Sequence, residues 1–213
     1  MKKELLNEKD TSNMKGISKA IYIISCIFKV LSIVGIVIGA IALISSAVLL
    51  SNINVNNNTI KVFNKELKYE IGDTIKINGE VVADDLDANS INQVTEFLNK
   101  TNTYKVGFTS LIFISLIITM VCSYKLFSYL EKLFRNIYNQ DTPFTLDNVN
   151  YSYKIGLYFA LVILVPDLLN LLIELIFNLD INISTSLFSY LYILIIWVVY
   201  YIFKYGYNLQ NKQ

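Results

Sequence analysis

Residues 21–50 read IYIISCIFKVLSIVGIVIGAIALISSAVLL, an apolar stretch with a single charged side chain, Lys29. Three more apolar stretches follow at residues 106–130, 155–177 and 183–203. A helix needs roughly 20 apolar residues to cross the hydrocarbon core of a bilayer, and each stretch meets that length. Strands of a membrane barrel are about half as long and alternate in polarity, which excludes a barrel here. The sequence therefore predicts an all-α membrane protein, a bundle of four transmembrane helices.

The composition agrees with that class and argues against several others. Hydrophobic residues make up 54% of the 213 residues and the mean hydropathy is +0.48, whereas soluble domains are about 45–50% apolar. Four spans and one long connection leave no room for a separate soluble domain of ordinary size. Histidine is absent, which counts against a hydrolase or a zinc enzyme because it is the usual proton shuttle and metal ligand. The net charge of +1 gives no signal for nucleic acid.

Motifs that carry chemistry are missing as well. The chain has no P-loop, nucleophile elbow, metal-type cysteine cluster or nucleotide fingerprint. We therefore expect no enzyme activity, no cofactor and no catalytic metal. The cysteines, Cys26 and Cys122, lie toward the same end of their spans, away from the segment that would face an oxidising compartment. Two free thiols are expected rather than a disulfide.

The distribution of lysine and arginine predicts the orientation of the spans. Positive residues lie near span ends in residues 1–20, 131–154 and 204–213, whereas residues 51–104 hold eight acidic residues against five lysines, with Lys105 at the edge. Retained positive charges mark the cytoplasmic side. Both termini and the middle loop are thus predicted to be cytoplasmic, and residues 51–105 extracytoplasmic. The first stretch is far longer than a signal-peptide core, so we expect an uncleaved helix whose Lys29 reaches the headgroups.

The extracytoplasmic insertion between helices 1 and 2 is predicted to be a small α+β element. Apolar residues alternate at Ile60 and Val62, and again along residues 67–77, before an Asn78-Gly79 turn. This pattern is typical of a short β-ribbon. A helical pattern follows over residues 91–98 and leads into the second span.

Acidic residues at the end of this insertion leave two interpretations open. Asp85, Asp87, Asn89 and Glu96 have the spacing of calcium-loop ligands, but Ser90 stands where that loop needs glycine. The alternative is a set of acids at the N-terminus of a capped helix. We assign no metal.

Two features inside the spans are candidates for contacts or for a site. Gly35 and Gly39 form a GxxxG pair, which allows packing against a neighbouring span or against a second copy of the chain. Asp167 and Glu174 lie seven residues apart near one face of the third span, and Asp167 directly follows Pro166. Because a carboxylate in lipid is unfavourable, both are expected to face the bundle interior or a wet cavity. They form either an ion- or proton-responsive pair or a structural polar contact.

The connection between the second and third spans has its own pattern. The second helix is predicted to continue as an amphipathic helix to residues 137–138, and Pro143 ends it. Thr145 is placed to cap the next helix. Phe144 is expected to anchor the turn at the membrane surface. The turn with Pro143, Phe144 and Asn148 is either a structural hinge or a docking site for a partner.

This region carries a family resemblance. The stretch LFRNIYNQDTPFTLDNV at residues 133–149, followed by YKIG at 153–156, and the closing stretch IFKYGYNLQ at 202–210 resemble the bacterial membrane-protein family catalogued as domain-of-unknown-function family 2975. That family has the same layout of four spans and a Pro-Phe-x-x-x-Asn element. Its acidic residues after the closing Leu-Gln are missing here, as is a basic residue near 151–153. The family has no settled activity, so the resemblance implies none. It does imply a partner at the inner face, since members are thought to accompany small helix-turn-helix regulators. A single arginine among 18 basic residues also indicates an AT-rich bacterial genome.

From these patterns we expect a non-enzymatic membrane accessory, sensor or self-protection protein that acts through protein contacts. Its partners would be the lipid bilayer and a protein at the inner loop or the outer segment, with oligomerisation left open. The alternative is a small transporter or ion-conducting protein that uses Asp167 and Glu174.

Overall fold

The computed structural model describes residues 8–56, 59–62, 65–71, 75–83, 96–97, 100–140, 142–177 and 187–212. Its long helices are α1 (Glu8–Ser51), α2 (Asn102–Asn139), α3 (Leu146–Phe177) and α4 (Leu187–Gln210). Five strands follow α1, namely β1 (Ile53–Asn56), β2 (Thr59–Val62), β3 (Lys65–Ile71), β4 (Ile75–Ile77) and β5 (Glu80–Ala83). The helices α1 to α4 are long and apolar enough to cross a membrane. The predicted fold class, an all-α membrane protein with a small α+β insertion after the first helix, is confirmed.

The helices extend beyond the apolar stretches that predicted them. α1 begins at Glu8, so polar residues before residue 21 form its first turns. α2 continues to Asn139, as its amphipathic end predicted. α3 runs through Pro166 without interruption. α4 reaches Gln210, while residues 183–186 of the fourth predicted span lie outside the described residues.

Threonines begin the second and third helices. Thr101 Oγ1 accepts a hydrogen bond from the Tyr104 N–H at 3.4 Å, and Thr145 Oγ1 accepts one from the Asn148 N–H at 3.3 Å. Each satisfies a backbone donor that a helix N-terminus leaves open. The Thr145 cap is the one predicted. A helix was predicted over residues 91–98, and its described part, residues 96–97, is helical. The Thr101 cap shows that α2 begins as a separate helix after it.

The strands form an antiparallel meander in which each strand pairs with the next. Asn78 and Gly79 connect β4 to β5 with φ of 52° and 86°, the left-handed pair that a type I′ turn requires. Asn78 also ties the turn to β3, since its Oδ1 accepts from the Lys68 N–H at 3.0 Å. The predicted strand pattern and turn are present, and β1 is an addition that its asparagine-rich sequence concealed.

Asp85, Asp87 and Asn89 of the calcium-loop pattern lie outside the described residues. Within the residues that are described, no group of three or more His, Cys, Asp or Glu side chains could hold a metal ion.

The chain divides into two compact units. One holds α1 up to Ile38 and the chain from Ser115 onward, and the other is Gly39–Ile114. In the first unit a buried cluster of Leu126, Leu133 and Ile137 from α2 with Ile155 from α3 forms the core. Partly buried side chains of the other two helices pack against it, among them Met14, Ile196 and Phe203. All four helices therefore contribute to one bundle in this unit.

Within this bundle α1 packs through small residues at seven-residue spacing. Ser18, Ser25 and Ser32 are 3%, 2% and 4% exposed. Small side chains at this repeat let two helix backbones approach closely. The hydroxyls of Ser25 and Ser32 donate to carbonyls one turn earlier, at 2.8 and 2.9 Å, so burial leaves neither donor unsatisfied. This stripe was not predicted, because the small residues considered in the first span were those on the face of Gly35 and Gly39.

Candidate functional site

The connection between α2 and α3, which we call the Pro-Phe turn (residues 142–148), is held by its own side chains. Asn148 is fully buried, with 0% exposure. Its Nδ2 donates to the carbonyl of Pro143 at 2.9 Å, and its Oδ1 accepts from Asn136 Nδ2 at 3.2 Å. One side chain thus joins the end of α2, the turn and the first turn of α3. Such a buried and satisfied amide fixes one backbone conformation.

The end of α4 packs against the Pro-Phe turn. The Phe144 ring meets the Phe203 ring edge-on, with centroids 5.9 Å apart. A Cβ added at Gly206 would lie 2.5 Å from Phe144 Cδ1, so the ring occupies the space that any other residue would need. Gln210 Nε2 donates to Thr142 Oγ1 at 2.8 Å. The stretches 133–149 and 202–210 are therefore in direct contact.

A groove of about 550 Å³ opens beside the Pro-Phe turn. Its apolar wall includes Met14 and Ile17 of α1, Phe134 of α2, Pro143 and Phe144 of the turn, and Phe203 of α4. Ile17 is 62% exposed, so its side chain is accessible from outside the bundle. The groove is thus an apolar surface built where α1, the end of α2 and the end of α4 meet.

Two positively charged residues are next in the sequence to residues that line the groove. Lys19 and Arg135 are exposed and adjoin the groove-lining residues Ser18 and Phe134 in the sequence. Lys19 Nζ lies 6.0 Å from the centroid of the Tyr138 ring. Neither cation has a salt-bridge partner in the part of the chain that the structure describes. The surroundings of the groove therefore favour an apolar ligand that also carries negative charge.

The structure does not bring the two predicted intramembrane acids into one enclosed site. Asp167 is half-buried and accepts a hydrogen bond from the Tyr190 hydroxyl of α4. Glu174 is exposed on the surface of the bundle. Leu169 and Ile173 are the residues packed into the bundle at that end of α3, so Glu174 does not face the packed interior. The alternative expectation, that Glu174 faces a wet cavity, stays a prediction.

The predicted glycine pair is a packing feature at Gly35. A Cβ at Gly35 would lie 3.0 Å from the sulfur of Met120 in α2. Gly39 is buried. Close packing of Gly35 against a neighbouring helix agrees with the first of the two interpretations, and contact with a second copy stays a prediction. Cys26 and Cys122 are both free, as predicted.

An ion pair that the sequence analysis did not predict joins α1 to α2. Lys29 Nζ donates to Glu131 Oε2, with the two side chains 27% and 15% exposed. The expectation that Lys29 reaches the headgroups stays a prediction, and Glu131 had been assigned only to the amphipathic end of the second helix. The opposite charges of Lys29 and Glu131 could have predicted the pair, because a lone lysine within an apolar stretch favours a carboxylate on a neighbouring helix.

We expect Glu131→Gln to lower the free energy of unfolding by about 1–3 kcal/mol, because Lys29 then keeps a half-buried charge without a counter-ion. Lys29→Met combined with Glu131→Leu should recover most of the loss, since both charges are removed together. Unfolding by SDS in mixed micelles measures both effects. Glu96→Gln is the matched control, because its ion pair with Lys100 is exposed and should contribute about 0.5 kcal/mol or less. Equal losses for Glu131→Gln and Glu96→Gln would contradict the assignment.

The fold defines the class: four helices that can cross a membrane place the chain among multi-pass membrane proteins. No protein-family model matches the chain, and neither a curated protein nor a solved structure matches it.

Proposed function

We propose that this chain is a non-enzymatic accessory, sensor or self-protection protein of the bacterial cell membrane that binds a protein partner in the groove beside the Pro-Phe turn. The groove itself is the observation that carries this proposal. It combines an apolar wall of Met14, Ile17 and Phe134 with a turn that Asn148 holds in one conformation. A preformed apolar groove is the usual receptor for one face of an amphipathic helix.

Charge narrows the chemistry of the partner. Lys19 and Arg135 neighbour groove-lining residues in the sequence and form no salt bridge among the described residues. An amphipathic helix with acidic residues beside its apolar face fits both the wall and its surroundings, and charge complementarity would speed its association. The lysine distribution supports a cytoplasmic position for both termini and the Pro-Phe turn. The partner is then a cytoplasmic protein or the cytoplasmic segment of another membrane protein.

The effect of one groove substitution tests this function. Ile17→Asn places a polar group in the groove wall, and because Ile17 is 62% exposed the bundle should fold unchanged. We expect partner recovery after crosslinking in intact cells to fall roughly tenfold, as for the loss of one apolar anchor of about 1.4 kcal/mol. Leu209→Asn is the control, an equally conservative change at a side chain that is 49% exposed and outside the groove wall.

The identity of the crosslinked segment completes this test. Support requires an amphipathic segment with acidic flanks that is lost with Ile17→Asn and retained with Leu209→Asn. The groove would be rejected as the binding site if the unchanged protein, Ile17→Asn and Leu209→Asn recovered the partner equally. A crosslinked segment without an apolar face would reject it as well.

A small transporter or ion-conducting protein is the second candidate. The hydrogen bond between Asp167 and Tyr190 favours it, because this carboxylate lies in a membrane-crossing helix and is hydrogen-bonded to a side chain of the next helix. The exposed position of Glu174 argues against a carboxylate pair, so Asp167 would act without it.

Asp167→Asn distinguishes the two candidates. In vesicles that contain the purified protein, a transporter should lose proton- or ion-linked flux with this substitution, since the amide cannot ionise. A partner-binding protein should show no flux in either form and should keep its crosslinked partner. Normal insertion and unfolding of the variant provide the control for folding.

A further inference from the structure

Outside the groove, two lysines from different helices meet over one aromatic ring. Lys132 Nζ of α2 lies 5.5 Å from the centroid of Tyr129, and Lys154 Nζ of α3 lies 4.9 Å from the same centroid. Both lysines are exposed. Two ammonium groups therefore converge on one side chain at the junction of α2 and α3.

The carboxylates nearest in sequence do not neutralise this pair. Glu131 is bound to Lys29 of α1, and Asp147 is exposed two turns before Lys154. Neither Lys132 nor Lys154 forms a salt bridge among the residues that the structure describes. The face of an aromatic ring attracts a cation only weakly at an exposed site. Two like charges at one ring leave a positive field that an anion would relieve.

The position of the pair along the helices points to the membrane surface. The apolar stretches end at residue 130 in α2 and begin at residue 155 in α3, so both lysines lie next to the boundary of the hydrocarbon core. Tyr129 also packs on Tyr151 and Tyr158, with centroids 6.2 and 5.7 Å away. Tyrosines of this kind mark the level of the headgroups.

We propose that Lys132 and Lys154 bind the phosphate of an anionic phospholipid headgroup. Lysine ammonium groups beside a membrane attract anionic lipid. The two lysines reach the phosphate from neighbouring helices while Tyr129 supports them. Leu157, which is 39% exposed, lies one turn from Lys154 on the same face of α3 and would contact the acyl chain of the same lipid.

The test measures lipid retained by the purified protein in nanodiscs that contain equal amounts of phosphatidylglycerol and phosphatidylcholine. We expect Lys132→Gln/Lys154→Gln to weaken binding of phosphatidylglycerol roughly 30-fold, since each lysine near a surface contributes roughly fivefold. Lys125→Gln/Lys204→Gln is the matched control. It removes the same charge from two exposed lysines that lie over separate rings, Tyr124 and Tyr200. Lys132→Arg/Lys154→Arg should retain the lipid.

Native mass spectrometry of the released protein counts the bound lipids. Preferential retention of phosphatidylglycerol that is lost in the first variant alone supports the site. Equal retention of both lipids by the unchanged protein, an equal loss in the Lys125/Lys204 control, or displacement of the lipid by inorganic phosphate at matched concentration would overturn it.

Discussion

Asn148→Ala is expected to lower the free energy of unfolding by about 3 kcal/mol. The substitution removes the hydrogen bonds to the Pro143 carbonyl and from Asn136, and it leaves both of those groups unsatisfied. The cost is large because Asn148 is fully buried, so water cannot replace the missing partners. SDS unfolding in mixed micelles, followed by near-ultraviolet circular dichroism, measures the change.

Asn150→Ala is the matched control for this prediction. Asn150 lies two residues further along the same helix and is exposed, so its loss should change stability by about 0.5 kcal/mol or less. Asn148→Leu separates hydrogen bonding from volume, because leucine fills the space and makes no hydrogen bond. It should be nearly as unstable as Asn148→Ala. If the variants at positions 148 and 150 unfold alike, Asn148 does not hold the Pro-Phe turn.

Gly206→Ala is expected to destabilise the protein by about 1–2 kcal/mol, although alanine favours a helix. The intrinsic preference of a helix for alanine over glycine contributes about 1 kcal/mol of stability. The added Cβ would lie 2.5 Å from Phe144 Cδ1 and 2.7 Å from its Cγ, which is close to the backbone and cannot move aside alone. Overpacking of this kind costs about 1–3 kcal/mol, and the turn must shift as well.

Gly16→Ala supplies the opposite expectation within the same protein. Gly16 lies in α1 with nothing within 4 Å of an added Cβ, so this change should stabilise the protein by about 1 kcal/mol or less. Phe144→Leu in the Gly206→Ala background should recover part of the loss, because the smaller side chain vacates the contested space. The packing of the turn on α4 would be disproved if Gly206→Ala and Gly16→Ala shifted stability in the same direction.

Much of the fold followed from the sequence because bilayers impose a simple length rule. Four apolar stretches gave the four helices, and the Thr145 cap and the Asn78-Gly79 turn followed from local chemistry. The helix ends were less predictable. The first turns of α1 are polar, and nothing in local hydropathy distinguishes a helical polar turn from an irregular one. Strand β1 was not predicted for a similar reason. Its asparagine-rich composition does not favour a strand, and its backbone pairing with β2 stabilises it.

For the site, too, the sequence predicted the features that depend on local chemistry and missed the contacts that depend on tertiary packing. Sequence reasoning named Pro143, Phe144 and Asn148, because proline and asparagine have local meaning in turns. It did not find the contact of Phe144 with Gly206, which joins residues far apart in the chain. It also did not find the ion pair of Lys29 with Glu131, which joins two helices. Such contacts depend on which helix packs against which, and the periodicity of a single sequence does not reveal the neighbours of a helix.

Site-specific photo-crosslinking in intact cells tests the proposed function most directly. A photoreactive side chain at Ile17 lies in the wall of the groove, and the same side chain at Tyr205, which is 68% exposed near the end of α4, is outside that wall. We expect the probe at position 17, and not at position 205, to react with an amphipathic segment that carries acidic residues. Reaction at both positions alike, or at position 17 with lipid alone, would contradict a protein-binding groove.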